Sequence, residues 1–331
     1  MLCEQASVCS ARLSSSDSGL SKCWRNKELR MRGKEEQSMH NEALLELSQA
    51  TKTIGDYQLG PINLRLEPGT ITAVVGPNGA GKSTLFKLMM NMAQPDSGTV
   101  HLFGGSYEED EVKLKQRIAY VPETFYHPDD GMTVRMETSF VKRWYPRWNE
   151  ALYQELAAKY ELPLDKKLKD CSKGTLRRME LVHALAAEAD VLLLDEPSSG
   201  LDPFVWRDWI DDLRRWMEQG ERSIVIATHM MEEVKRLADY IAILHRGELL
   251  DIYEKDALQD GWRKLWLDGP LPVNNLPGVM HVQHEPAPMV VTSDQAAIEE
   301  VLQSLGIRVR QRQALELDEI FSYMIRKKDR R

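Results

Sequence analysis

The sequence predicts an α/β fold built on a mostly parallel sheet, and three observations carry that expectation. Short apolar runs of strand length, such as "TITAVVG" (70–76), "VLLLDEP" (191–197) and "SIVIATH" (223–229), lack polar alternation. This is the pattern of strands buried on both faces. Segments with apolar residues at three-to-four spacing separate these runs, and strand–helix alternation implies a parallel sheet covered by helices. Between about 132 and 186 the pattern is helical throughout, so a helical subdomain is expected to interrupt the sheet.

Taken in order, residues 1–38 are rich in Ser, Arg and Lys and show no apolar periodicity. They are expected to form a disordered extension, or to precede a start at Met31 or Met39. They contain no apolar core of the kind a secretory signal needs, and Glu4, Asp17, Glu28, Glu35 and Glu36 argue against a transit peptide. A domain over 39–250 follows. "ALLELSQA" and "GPINLRL" read as strands around a turn and form an antiparallel β portion. "TITAVVG" runs into a glycine-rich turn and the helix "STLFKLMMNM"; "GTVHLFG", after the turn "PDSG", and "QRIAYVPE" are further strands. "EALYQELAAKY" and "TLRRMELVHALAAEA" are helices of an inserted subdomain at about 125–186. "VLLLDEP" and "SIVIATH" are buried strands separated by the helix "PFVWRDWIDDLRRWMEQG", and "YIAILHRGELL" is a hairpin with Gly247 in its turn. Residues 251–331 form a small α+β appendage, with strands at "RKLWL", "VMHVQ", "PMVVTS" and "IRVRQR" and helices at "DQAAIEEVLQSLG" and "LELDEIFSYMIR".

Composition narrows the function. With 331 residues and 42% hydrophobic residues, a core of ordinary size can form. The net charge of −8 argues against a general nucleic-acid binder, because neutralising phosphates takes clustered Lys and Arg. One basic and aromatic stretch, "FVKRWYPRW" (140–148), admits three uses: stacking on bases, docking onto a membrane subunit, or plain helix packing. No stretch approaches the roughly 18 apolar residues that span a bilayer, so a membrane process would need another chain to supply the span. Of the four cysteines, Cys3, Cys9 and Cys23 lie near the start and Cys171 stands alone. No CxxC pair occurs, which argues against a zinc site or disulfide framework and fits a reducing cytosol.

The chemistry sits in two motifs. "GPNGAGKST" satisfies G-x-x-x-x-G-K-[ST] between a strand and a helix. Gly76, Gly79 and Gly81 let the backbone curl so that N–H groups along Gly76, Pro77, Asn78, Gly79, Ala80 and Gly81 converge on an anion at a helix N-terminus, Pro77 itself having none to give. Lys82 is placed to reach the β- and γ-phosphates, Ser83 to offer a hydroxyl to Mg²⁺, and Thr84 to support the α-phosphate side. "VLLLDEP" delivers Asp195 to a strand end, where it can hold the hydration shell of Mg²⁺. Glu196 follows, a carboxylate able to orient and deprotonate an attacking water.

With these residues in place, the stretch from about 43 to about 250 resembles the ATP-binding-cassette (ABC) ATPases, a P-loop NTPase fold. "SSGLD" (198–202) resembles the family's D-loop, with Asp202 at the acidic position, and His229 resembles the switch histidine that contacts the γ-phosphate. "YVPET" falls at the Q-loop and "CSKGT" (171–175) at the LSGGQ signature. The resemblance implies ATP and Mg²⁺ as cofactors and two cassettes closing head to tail on two ATPs, each touching the P-loop of one and Ser172 and Gly174 of the other. It implies a separate multi-span permease, a place at the cytoplasmic face of the membrane, and no nucleic-acid partner. Two residues depart from the pattern. Glu123 stands where the family has Gln; it can still accept from water and ligate Mg²⁺ indirectly, but it adds negative charge. Lys173 replaces the first glycine of the signature, either adding positive potential toward a partner's γ-phosphate or pointing to solvent. "VPE", "YPRW" and "SKG" resemble an export-type branch. Tyr57 is the candidate for stacking on adenine, with Ile54 competing for that place. The expected activity is therefore ATP hydrolysis coupled to transport, against two alternatives: a soluble, non-transport ABC ATPase, or a poorly hydrolysing regulatory subunit.

Overall fold

The structure, a computed structural model, describes residues 43–125, 131–218, 220–271, 276 and 278–329. The expected extension 1–38, with Cys3, Cys9, Cys23 and Met31, lies outside the described residues, as do Met39 and residues 126–130 of the expected helical subdomain.

A hairpin opens the fold: β1 (Leu45–Ile54) and β2 (Tyr57–Leu66) pair antiparallel around a tight turn. β3 (Ile71–Val75) and α1 (Lys82–Met89) enclose the glycine-rich turn. Next come β4 (Ser97–Leu102), the short β5 (Gly105–Ser106), α2 (Tyr107–Lys115) and β6 (Ile118–Val121). Three helices then intervene, α3 (Val134–Val141), α4 (Glu150–Lys159) and α5 (Lys173–Ala186), before β7 (Val191–Asp195). α6 (Pro203–Met217), β8 (Ser223–Thr228), α7 (Met231–Leu237), β9 (Tyr240–His245) and β10 (Glu248–Glu254) follow. The chain continues through α8 (Lys255–Gly261), β11 (Arg263–Leu267), β12 (Val279–Gln283), β13 (Met289–Thr292), α9 (Gln295–Ser304), β14 (Val309–Ala314) and α10 (Leu317–Asp329).

The strands form three sheets. The central one has the order β10-β9-β3-β8-β7-β6 and is parallel except for the edge strand β10. Its middle strands are buried on both faces, and the period of two sorts their side chains into two cores. Leu192, Leu194, Ile224 and Ile226 join one cluster with the helical segment and α6, while Leu193, Val225 and Val74 join the other with α1 and the hairpin. An antiparallel sheet, β2-β1-β4-β5, covers the second core.

The third sheet, β12-β13-β11-β14, is antiparallel. Leu265, Leu267 and Val290 pack against Ile298 and Leu302 of α9. On its other face Met289 and Val291 share a core with Leu317 and Ile320 of α10. α10 ends at Asp329, whose carboxylate lies 2.9 Å from Nε2 of His245 at the end of β9.

Three short helices, α2, α7 and α8, have no counterpart in the sequence pattern. α2 buries none of its residues, and its sequence YEEDEVKLK is interrupted by non-helical backbone at Asp110. A helix without an apolar stripe leaves no periodic signal to read. The parallel register aligns Val121 with Leu194, Asp195 with Ala227 and Val75 with Thr228. The segments leaving β3, β6, β7 and β8 therefore emerge side by side at the carboxyl edge of the sheet, where ligands bind in open α/β folds.

Candidate active site

The turn between β3 and α1 forms one wall of a cavity of about 420 Å³, with Asn78, Gly79, Gly81 and Ser83 among its lining residues. Gly81 takes φ +107°, and a side chain there would bring its Cβ to 2.1 Å from the Tyr57 hydroxyl, so only glycine fits. No side chain caps the start of α1. Its first N–H groups are thus left to an anion. Lys82 is 7% exposed, and its ammonium donates to Gly76 O at 2.9 Å and Pro77 O at 3.4 Å. Glu196 Oε1 lies 3.5 Å from it. Gly76, Pro77 and Ala80 serve the loop rather than line the cavity: two lend their carbonyls to Lys82, and Ala80 is buried in the core under the turn. Thr84 lines the cavity beside Ser83.

The opposite wall is acidic. Asp195, Glu196 and Glu123 arrive from the ends of β7 and β6. Asp195 is 1% exposed, and its Oδ1 is buried without a hydrogen-bond partner. Burial pushes its carboxyl above the usual range; Glu123 and Glu196 push the same way, while the Ser83 hydroxyl pulls it down. An orphaned carboxylate oxygen beside a serine hydroxyl is an all-oxygen donor set, which suits a hard cation such as Mg²⁺. Among the described residues no group of three or more His, Cys, Asp or Glu side chains is placed to hold a metal alone. Glu196 sits at φ +47°, directing its side chain into the cavity from a backbone held by Glu196 N–H to Ala227 O at 2.8 Å. Its Oε2 lies 2.7 Å from Nδ1 of His229, which is well exposed just past β8.

A family model described as ABC transporter matches residues 59–199. The ABC transporter ATP-binding protein YtrB of Bacillus subtilis (strain 168) is 30% identical over 258 residues, 77% of this chain and 84% of that protein. The chain belongs to the ABC transporter ATP-binding proteins. Another relative, the Nod factor export ATP-binding protein I of Burkholderia orbicola (strain AU 1054), is 33% identical over 62% of this chain and 69% of its own. A solved structure described as the ATP binding subunit of an ABC transporter shares the fold, with a TM-score of 0.60 and 24% identity over 66% of this chain and 92% of that one. A second family model, described as an AAA domain of a putative AbiEii toxin (Type IV TA system), matches residues 167–234. The chain is thus the ATP-binding subunit of an ABC transporter, built on the P-loop NTPase cassette of a family of ATPases that drive transport.

Within this ABC cassette three of the expected site residues, Ser172, Gly174 and Asp202, stand apart from the cavity. Ser172 caps α5, accepting from Thr175 N–H at 3.2 Å. Gly174 packs against the D-loop: a Cβ there would stand 2.6 Å from Gly200 O. Asp202 caps α6 through Phe204 N–H at 2.8 Å. None of the three lines the cavity of its own chain. Lys173 is exposed and makes contacts that the sequence did not indicate. Its ammonium donates to Ser199 Oγ at 2.9 Å, and its methylenes lie along Gly200 of the same chain.

Tyr57 lines the cavity and donates its hydroxyl to Ala80 O at 2.7 Å, bracing the phosphate loop, a contact the sequence did not indicate. Ile54 pairs with it across the β1–β2 turn and is half exposed. One residue near the centre escaped the sequence reading altogether. Glu233, in the first turn of α7, is 1% exposed, and burial holds its carboxyl above the usual range; the nearby Ser198 and Thr228 hydroxyls pull the other way. Its only trace in the sequence is the second acid of "MMEE", indistinguishable there from a solvated turn. The stretch "FVKRWYPRW" divides in two. Tyr145 and Trp148 pack against the main core, whereas Phe140 and Trp144 are 52% and 53% exposed.

Proposed function

We propose that this subunit binds ATP with Mg²⁺ and hydrolyses it as one of two paired cassettes, powering export of a cargo through a separate multi-span permease at the cytoplasmic face of a membrane. The observation that carries the hydrolytic part is the convergence of Lys82, Asp195 and Glu196 from two strand ends on one cavity, with His229, from a third strand end, in contact with Glu196 behind it. The γ-phosphate would take Lys82 from the carbonyls of Gly76 and Pro77. Ser83 and Asp195 would hold Mg²⁺, with Glu123 reaching it through water; the ion supplies neutralisation of charge on the transferring phosphoryl group. Glu196 accepts the proton of the attacking water, and His229 orients the Glu196 carboxylate through the 2.7 Å contact. Tyr57, with Ile54 beside it, offers the base a surface at the hairpin end.

The distance of Ser172, Gly174 and Asp202 from their own cavity supports action on the nucleotide of a second cassette. Two features support the permease. No helix among the described residues is long and apolar enough to cross a membrane. Met136, Phe140 and Trp144 form an exposed apolar stripe along one side of α3 and the turn after it, beside a groove of about 510 Å³ lined by Met92, Phe125 and Val141. The relatives named for Nod factor export, together with "VPE", "YPRW" and "SKG", favour the outward direction.

Lys82→Ala tests the nucleotide site. ATP affinity is expected to fall about 10- to 100-fold as charge-assisted hydrogen bonds are lost, and unchanged affinity in equilibrium binding would remove the phosphate-loop assignment. Co-purification from detergent-solubilised membranes should recover a multi-span protein; recovery with ribosomes or DNA instead would overturn the transport assignment.

A further inference from the structure

Arg177 lies one turn beyond the signature residues on α5 and is only 2% exposed. A guanidinium stays charged at all accessible pH values, so its burial requires partners for a fixed planar fork of donors. It has three. Nη1 donates to Pro122 O at 2.6 Å, Nη2 donates to Glu123 O at 2.6 Å, and Glu180 Oε2 lies 3.2 Å from Nη1. The two carbonyls belong to the backbone just past β6, where the ladder with β7 has ended at Val121 and Leu194. This backbone separates two hollows. Glu123 faces the nucleotide cavity, while Pro122 and Thr124 line the groove on the other side together with Glu180.

We propose that Arg177 is a positioning residue for Glu123: its bidentate grip on the Pro122 and Glu123 carbonyls lets the helix that carries Ser172 and Gly174 set where the Glu123 carboxylate stands. The inference deepens the ATPase assignment and rests on it for its effect on turnover, though the grip on the backbone does not. A carboxylate at this place, beside Asp195 and Glu196, adds negative charge to the cavity wall, so its position relative to a bound cation decides whether that charge helps or repels. A loop beyond the last ladder bond needs an outside anchor to hold that position. The guanidinium supplies two charge-assisted bonds in one rigid geometry, which an ammonium cannot reproduce.

The test compares Arg177→Met, Arg177→Lys and Glu180→Gln with wild type. For Arg177→Met, ATP affinity without Mg²⁺ should change less than about threefold, because Arg177 does not touch the phosphate loop, whereas kcat should fall about 10- to 100-fold. The Mg²⁺ concentration for half-maximal turnover should rise with it. Arg177→Lys should fall between, restoring one carbonyl bond. Glu180→Gln keeps both carbonyl bonds and should stay within about threefold of wild type. Amide hydrogen exchange over residues 118–125, measured without nucleotide, should quicken in Arg177→Met and not in Glu180→Gln. Wild-type kcat and Mg²⁺ dependence in a folded Arg177→Met would overturn the proposal. An equal loss in Glu180→Gln would also overturn it, showing that the buried ion pair merely supports the fold. If wild type hydrolyses no ATP, the ATPase assignment fails, while the exchange measurement still decides whether Arg177 holds the loop.

Discussion

Replacing Glu196 with Gln isolates the proton-accepting step, since it preserves shape and removes one charge. Glu196 is 7% exposed and makes two polar contacts, to His229 Nδ1 at 2.7 Å and Lys82 Nζ at 3.5 Å. An amide can keep the first contact, and Lys82 keeps its bond to Gly76 O, so the cavity should retain its shape. Loss of a general base costs about 10²- to 10⁴-fold in rate, or roughly 2.7–5.4 kcal/mol in the barrier. Binding should move the other way. A carboxylate about 5 Å from a phosphate charge repels it by up to about 3 kcal/mol at an effective dielectric of 20, before Mg²⁺ and salt reduce the figure. ATP affinity in Glu196→Gln is therefore expected to be equal or tighter, and an ATP-bound pair of cassettes should accumulate. Single-turnover hydrolysis, equilibrium nucleotide binding and sedimentation in ATP measure the three quantities. Turnover within about threefold of wild type would refute the assignment of Glu196 as base.

Gly174→Ala should cost about 1–3 kcal/mol in chemical denaturation, because the new methyl meets Gly200 O at 2.6 Å and one loop must shift. Wild-type stability would show that the signature and D-loop do not pack this way. Lys173→Met keeps the methylenes over Gly200 and loses only the Ser199 bond, so turnover should stay within about threefold. A fall of tenfold or more would place the ammonium's effect at a partner's phosphate instead. His183 is 6% exposed and bonded to Thr138 Oγ1 at 2.9 Å, and burial depresses its pKa to about 3 from 6.5. Between those values the unfolded chain binds a proton that the folded chain does not, so this contribution is complete above pH 6.5 and shrinks as pH falls. At pH 5 the loss is about 2 kcal/mol. Glu180, raised to about 7 mainly by burial, works oppositely, since its folded form gains a proton as pH falls. The comparison that isolates His183 is therefore His183→Gln against wild type, and the stability lost from pH 7 to pH 5 should be smaller in the variant. Equal losses would refute the assignment.

Much of the site was legible because its chemistry is local. The phosphate loop needs its glycines, lysine and serine within one turn between a strand and a helix, so Gly76 to Thr84 announce it in consecutive letters. Asp195 and Glu196 end a strand whose burial on both faces appears as an unbroken apolar run. His229 is suggested by its place after the next strand, and the structure sets its Nδ1 2.7 Å from Glu196 Oε2. Arg177 and Glu233 were not legible: on a helix a buried charge has the same spelling as a solvated one. α2 leaves no signal because it fully buries none of its residues and packs only Tyr107 and Leu114 against the core, too few for an apolar stripe.

By itself, the sequence determined the parallel α/β sheet, the phosphate loop and the acid pair, because backbone periodicity and short-range spacing encode them. Only the tertiary structure decided that Glu196 meets His229 and Lys82, that Tyr57 braces the loop from β2, and that Lys173 lies on its own chain's Ser199 and Gly200. It also brought Arg177 to the carbonyls beside Glu123. These contacts join residues far apart in the chain. Sheet register and helix packing place them, and the identities of the residues alone do not specify either.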